Sequence, residues 1–439
     1  MGIMPNQARI RFIGVCVCLA ASIIAARLYY VQVVKRDAYA SQADRQYVKQ
    51  GGALFDRGSI YFSPKSGVPI SAATLGTGYA VTLEPKKIAH PEDVVNALSG
   101  ILPVSEDVLM ARAATTSSYA EIAHRIDEAA AKRIDALAIA GLGTYKEQWR
   151  YYPAGKTAAN ALGFVGYKED GVTLSGRYGL EKFYDDVLSR GESSAHVNFF
   201  AEIFSNVSDA FLKDDASEGS IVTTIEPTVE QELERRLASV MGVWHSNLTG
   251  GIIMNPNNGE IYAMAVNPTF DPNDFAKEKN QAAFKNPLVD GVYEMGSIVK
   301  PLVMAAGIDA GVVKPETVYD DTGFILVNGA KISNFDGKAR GMTSMQKVLN
   351  ESLNVGMAFV AKKLGNDAVT KYLTSYGLGE ETGIDMPGEV RGQIANLKSP
   401  RDLEHVTAAF GQGIAISPIE TIRALSSLGN GGFLPNPHL

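Results

Sequence analysis

A serine and a lysine three positions apart, Ser297 and Lys300 in Gly296-Ser297-Ile298-Val299-Lys300-Pro301, are the residues of this sequence best placed for covalent chemistry. The run that follows, Leu302-Val303-Met304-Ala305-Ala306-Gly307-Ile308, is long enough for a buried helix. Pro301 fits only in its first turn, where a missing backbone N–H does little harm. Ser297 then stands at the helix N-terminus, with Lys300 on the same face about a turn later, close enough for a neutral amine to take the hydroxyl proton. The alternative is that Ser297 only caps the helix while Lys300 reaches into solvent. A second S-x-x-K, Ser344-Met345-Gln346-Lys347, competes for the same reading. Ser352-Leu353-Asn354, the only Ser-x-Asn of the chain, separates the two. It is far enough from Ser297 to form the opposite wall of a cleft, but so near Ser344 that it would share that serine's helix or turn.

A lysine acts as a base only when neutral, and its ordinary pKa of about 10.4 must fall by roughly three units, on the order of 4 kcal/mol. Burial beneath an apolar helix lowers it, and a neighbouring cation contributes up to about 4 kcal/mol at 4 Å. Either alone is marginal.

These residues resemble the penicillin-binding protein family, whose motif set is S-x-x-K, S-x-N and K-T-G. The surroundings match as well. Asn255-Pro256-Asn257-Asn258-Gly259-Glu260-Ile261-Tyr262-Ala263-Met264-Ala265, with Pro268 and Phe270-Asp271-Pro272-Asn273, resembles the hairpin that precedes the nucleophile in that family. Thr382-Gly383-Ile384-Asp385-Met386-Pro387-Gly388-Glu389 and Phe410-Gly411-Gln412-Gly413 resemble its later signatures. The resemblance implies Ser297 as nucleophile, Lys300 as base, Ser352 as proton carrier toward the departing amine and Asn354 as holder of the substrate amide. It also implies an oxyanion site at the backbone N–H of Ser297 and a second N–H on the K-T-G strand. No K-[ST]-G triplet follows Asn354, so the expectation is a chain cut off before that motif, with true loss of the motif as the alternative.

Composition narrows the remaining classes. The chain has 439 residues, 46% hydrophobic and 20% charged, enough for two or three folded domains. A net charge of −7 without a basic tract argues against nucleic acid as a partner. Cys16 and Cys18 are the only cysteines, and the histidines show no metal-ligand spacing. Neither a metal, a cofactor nor a Ser-His-Asp triad is expected.

The elements that must position the motif residues follow in chain order. Arg9 and Arg11 precede an apolar stretch that covers roughly 22 Å as a helix to Ala26 and roughly 34 Å to Val34, against a hydrocarbon core of about 30 Å. A single transmembrane anchor over residues 1–35 is expected, with Arg27 snorkelling beside Tyr29 and Tyr30; a cleaved signal peptide is the rival. Residues 36–219 read as a mixed α/β domain, with a strand near Ile60 and helices from Glu92 and over Asp127 to Ile139. Its segments Arg150-Tyr151-Tyr152-Pro153 to Gly166 and Gly179 to Asp185 resemble the pedestal (dimerisation-type) domain of class B penicillin-binding proteins. A polar connection from Asn206 to Gly219 leads to residues 220–439, the expected transpeptidase domain, incomplete at its C-terminus. A strand over Ser220 to Ile225 is expected there. It is followed by a helix from Pro227 with Val229, Leu233, Leu237, Val240 and Met241 on one face, a hairpin around Asn255 to Gly259, and helices over Leu353 to Leu364 and Ala368 to Tyr376. The fold class is α+β, an antiparallel sheet flanked by helices as in serine β-lactamases.

The function this resemblance implies is a peptidoglycan D,D-transpeptidase of the cytoplasmic membrane, single-pass with its catalytic domain outside. It would bind peptidoglycan stem peptides and β-lactams and work beside a SEDS-type glycan polymerase. A carboxypeptidase or β-lactamase of the same fold, and a non-catalytic penicillin-binding scaffold, are the competing readings.

Overall fold

The computed structural model describes residues 56–115, 117–169, 173–189 and 219–439. The expected anchor at residues 1–35 and nearly all of the connection before Gly219 lie outside them. No helix among the described residues is long and apolar enough to cross a membrane. The chain divides into two compact units, one containing Gly76–Trp149, the other Arg57–Leu75 with Arg150–Leu439.

Strand β1 (Ile60–Phe62) pairs antiparallel with the start of β2 (Ile70–Leu83), Ile60 opposite Ala73. From Gly76 onward β2 belongs to the first unit, with α1 (Pro91–Ser99), α2 (Glu106–Ala113), β3 (Ala120–Ile126) and α3 (Glu128–Asp135). β2 and β3 pair antiparallel, Leu83 opposite Ala120. Val81, Leu83, Val94, Leu98, Leu109, Ile122 and Ile134 fill the core between strands and helices. Asp127 caps α3 by accepting from the N–H of Ala130, but the helix stops at Asp135 rather than Ile139. A continued helix would carry Ile139 round to another face. Ala138 instead turns left-handed, at φ +49°, and Ile139 packs on the same core as Ile134.

In the second unit β1 also pairs, in parallel, with β4 (Ile221–Val222). The strand expected over Ser220 to Ile225 is this short because its partner β1 has only 3 residues. Helix α4 (Pro227–Trp244) lies against the antiparallel hairpin of β5 (Thr249–Met254) and β6 (Ile261–Asn267), Thr249 opposite Asn267. One expected contact of α4 is absent, since Val240 is 46% exposed. The buried side chain of that helix is Glu230, which accepts from the N–H of Met264 at 2.7 Å. Burial, with Glu234 nearby, pushes its carboxyl up to about 8.

Helix α5 (Lys300–Asp309) precedes two antiparallel pairs, β7 (Val318–Asp321) with β10 (Gly341–Ser344) and β8 (Phe324–Val327) with β9 (Ala330–Ser333). Helices α6 (Met345–Asn350), α7 (Asn354–Leu364), α8 (Asn366–Ser375), α9 (Asp402–Ala408) and α10 (Pro418–Ser426) follow. Leu302, Val303 and Met304 of α5 share one core with Met357, Ala358 and Val360 of α7 and Val406 and Ala408 of α9. The second unit is α+β, helices packed with antiparallel pairs and one short parallel pair, and α5 is buried along most of its length.

A second core of this unit surrounds an ion cluster. Glu181, fully buried, accepts from Arg57 Nε at 2.7 Å, Arg150 Nε at 2.5 Å and the Tyr152 hydroxyl at 3.2 Å. Asp185 takes a further bond from Arg57 at 2.7 Å. Burial works against the Arg57 charge, but the two carboxylates outweigh it and hold its pKa above the ordinary value. Removing the shared carboxylate leaves two guanidinium groups without their central partner. Glu181→Gln should therefore cost about 3–5 kcal/mol of unfolding free energy. Urea titration of the folded protein measures it, and a loss below about 1 kcal/mol, the range of an exposed pair, would show that the cluster is dispensable.

Candidate active site

Gly296–Val299 forms a 3-10 turn that runs directly into α5, with Pro301 in the helix's first turn. Side chains three apart in such a turn eclipse one another, so Ser297 and Lys300 face the same way. Ser297 is exposed, whereas Lys300 is 2% exposed. The segment before Ser297 is strapped to the chain around Gly411. Tyr293 and Ile416 exchange backbone hydrogen bonds at 3.0 and 2.9 Å, Gly296 N–H donates to the carbonyl of Gly411 at 3.1 Å, and Glu294 accepts from Gly413 N–H at 2.8 Å. A Cβ on Gly411 would sit 2.1 Å from the carbonyl oxygen of Gly296, so only glycine permits this approach.

The amine of Lys300 donates to two oxygens of one residue, the Ser352 carbonyl at 2.6 Å and its Oγ at 3.0 Å. The Ser352 hydroxyl in turn donates to Ser297 Oγ at 2.9 Å. No hydrogen bond joins Lys300 directly to Ser297. The connection runs through Ser352, which differs from the direct transfer that the one-turn spacing suggests. The reason is depth, because the amine lies under the turn that lifts Ser297 to the surface. Ser352 meets both partners because its backbone is left-handed, φ +52°. That conformation turns its carbonyl and hydroxyl toward the same amine.

Asn354 is the first residue of α7, and its Nδ2 donates to the carbonyl of Ser333 at 3.0 Å. The structure thus brings Ser297, Lys300 and Ser352 into one chain of hydrogen bonds and places Asn354 two residues beyond Ser352, against β9. Ser344 of the competing S-x-x-K is a helix cap, its Oγ accepting from the N–H of Lys347 at 3.3 Å. Sequence reasoning missed the Ser352 carbonyl as a partner of the amine and the close approach of Gly411 to Gly296. The Phe410-Gly411-Gln412-Gly413 motif was the available signal for the second. Among the described residues no group of His, Cys, Asp or Glu could hold a metal ion.

Burial pulls the Lys300 amine down to about 8 from 10.5. About a tenth of the molecules then carry it neutral at pH 7. In that state the chain of donors reverses: Ser297 O–H donates to Ser352 Oγ, and Ser352 O–H donates to the free amine. An electrophilic carbonyl at Ser297 can then be attacked while the proton passes to Lys300, which is acyl-transfer chemistry.

Residues 249–439 match the family model described as the penicillin binding protein transpeptidase domain, and residues 56–203 match that of the penicillin-binding protein dimerisation domain. The chain is 29% identical to stage V sporulation protein D of Bacillus subtilis, over 99% of this chain and 66% of that protein. It is 24% identical to the peptidoglycan D,D-transpeptidase FtsI of Escherichia coli, over 95% of this chain and 70% of the relative. The same identity to the peptidoglycan D,D-transpeptidase MrdA of Escherichia coli extends over 99% and 74%. The chain spans about two thirds of the length of the first of these relatives. Penicillin binding protein 2X from Streptococcus thermophilus superposes with a TM-score of 0.67 at 21% identity, over 88% of this chain and 60% of that one. That likeness gives the fold of the described residues as a penicillin-binding transpeptidase fold with mixed α and β content.

The pH dependence follows from the buried amine. Acylation of Ser297 by a small activated acyl donor should rise about tenfold per pH unit below pH 8 and level off above it. Lys300→Met should lose both the rate and the slope. A profile flat between pH 6 and 9 in the parent protein would exclude Lys300 as the base. Linkage gives the sign for stability. Between about 8 and 10.5 the unfolded chain binds the extra proton, so this group's contribution to stability rises with pH across that window and is lowest below it.

Proposed function

The chain belongs to the class B penicillin-binding proteins, and from that premise we propose that it is a peptidoglycan D,D-transpeptidase that cross-links stem peptides through an acyl-enzyme on Ser297. The observation that carries the reading is the buried Lys300 amine, joined through Ser352 to an exposed Ser297 hydroxyl at 3.0 and 2.9 Å.

In the proposed reaction a stem peptide ending in D-Ala-D-Ala lies along the cleft, with Asn354 holding its amide. Ser297 Oγ attacks the carbonyl of the penultimate residue as its proton passes through Ser352 to neutral Lys300. The backbone N–H of Ser297, in the turn that leads into α5, faces the developing oxyanion, where the helix dipole also favours negative charge. Collapse breaks the peptide bond, and the proton returns from Lys300 through Ser352 to the departing D-alanine amine. An amine of a neighbouring stem then attacks the acyl-enzyme and gives its proton back along the same route. Cross-link and free Ser297 result.

Residues 1–35 are the anchor in the cytoplasmic membrane under this proposal, 36–219 the pedestal and 220–439 the transpeptidase domain on the outer side. A SEDS-type glycan polymerase would contact the anchor and pedestal. The apolar pattern from Phe12 to Val34 and the dimerisation-domain match over residues 56–203 support this organisation.

Labelled penicillin should attach to the intact protein at Ser297 and not to Ser297→Ala. Ser352→Ala should retain the site of attachment but react about 100-fold or more slowly, as expected for a lost proton carrier. Label that persists after Ser297→Ala, located by peptide mapping, would remove the assignment.

A further inference from the structure

Helix α7, which begins at Asn354, has no cap of its own. Leu353 occupies the N-cap position and makes no side-chain hydrogen bond, which leaves the buried N–H of Val355 in need of an acceptor from elsewhere. The side-chain carbonyl of Asn334 supplies one at 3.1 Å. Asn334 is 3% exposed, and behind it stands Asp321, fully buried. Nδ2 of Asn334 donates to the two Asp321 oxygens at 3.1 and 2.9 Å and to the carbonyl of Lys338 at 3.2 Å. A carboxylate only accepts, so the amide's NH2 end must face it and the oxygen end must face Val355. Asp321 is itself fixed by the N–H groups of Gly323 at 3.4 Å and Arg340 at 3.0 Å.

The same stretch of chain grips the Ser352 turn from its other side. Arg340 Nε bonds Glu351, the residue before Ser352, at 2.9 Å, while the Ser333 carbonyl takes Asn354 Nδ2 at 3.0 Å. This matters because Ser352 is held left-handed at φ +52°. A non-glycine residue stays in that region only when its surroundings enforce it. Relaxation of the turn would swing both Ser352 oxygens away from the Lys300 amine.

We propose that Asn334, oriented by Asp321, is a positioning residue for the reaction at Ser297: it caps α7 from outside and thereby keeps Ser352 between Lys300 and Ser297. The proposal rests on the acylation reading above for its catalytic consequence and on the Val355 bond alone for its structural one. Neither residue touches the reacting atoms.

The test compares two variants of the intact protein, Asn334→Leu and Asn334→Asp. Acylation by labelled penicillin is resolved into reversible binding and the chemical step, and amide hydrogen exchange is followed for Val355. Asn334→Leu should slow the chemical step about 100-fold with binding nearly unchanged, and Val355 should lose its protection. Asn334→Asp, which sets two carboxylates together, should be at least as slow. An Asn334→Leu protein that acylates at the parental rate overturns the proposal. Should the parent protein itself fail to acylate, the functional reading falls instead, and the Val355 exchange arm still decides: protection unchanged in Asn334→Leu refutes the positioning role.

Discussion

Burying the amine of Lys300 under the first turn of α5 makes its charge costly, and the two oxygens of Ser352 are what it has in place of water. Much else in the second unit follows from that arrangement. The helix that starts with the lysine must be apolar on its other faces, and Leu302, Val303 and Met304 are. The helices around it, α7 and α9, bring the aliphatic side chains that exclude solvent. Desolvation takes the amine to about 8, most but not all of the fall that the sequence reading divided between burial and a second cation.

An amine set at that depth makes no direct hydrogen bond to the exposed hydroxyl of Ser297, and the structure bridges the gap with another hydroxyl. Ser352 is suited to this only because its backbone is turned into the left-handed region, where carbonyl and side chain address one amine together. Such a turn is not self-sustaining in a serine. It is kept by chain on both sides: Glu351 is held by Arg340, Asn354 by the Ser333 carbonyl and Val355 by Asn334. On the opposite wall, Gly296 is drawn against Gly411 at a distance no side chain would allow. Two separate straps therefore set the distance between the hydroxyls.

The elements with strong local signals were legible in the sequence. The hairpin around Asn255 to Gly259, the helix from Pro227 and the helix over the residues after Leu353 all stand close to where pattern and turn chemistry put them. Misses occurred where tertiary partners overrule propensity. The alanine-rich segment after Asp127 stops at Asp135 so that Ile139 can rejoin the core, and the strand at Ser220 is shortened beside a neighbour of only 3 residues. Val240 has the right spacing to be covered, yet Glu230 is the side chain buried, because the N–H of Met264 needs an acceptor there.

By itself the sequence determined the kinds of chemistry available. It holds a serine and a lysine at helical spacing, a single Ser-x-Asn to face them, and a proline that fixes where the helix begins. These are local facts, set by residue type and by the repeat of one element. The tertiary structure alone decided the order of the hydrogen bonds between Lys300, Ser352 and Ser297, the depth of the amine and the conformation of Ser352. Each depends on atoms brought together from distant parts of the chain, Lys300 with Ser352, Gly296 with Gly411 and Val355 with Asn334. Hydrogen bonds and desolvation act over a few ångströms, and only folding sets distances of that size between residues far apart in sequence.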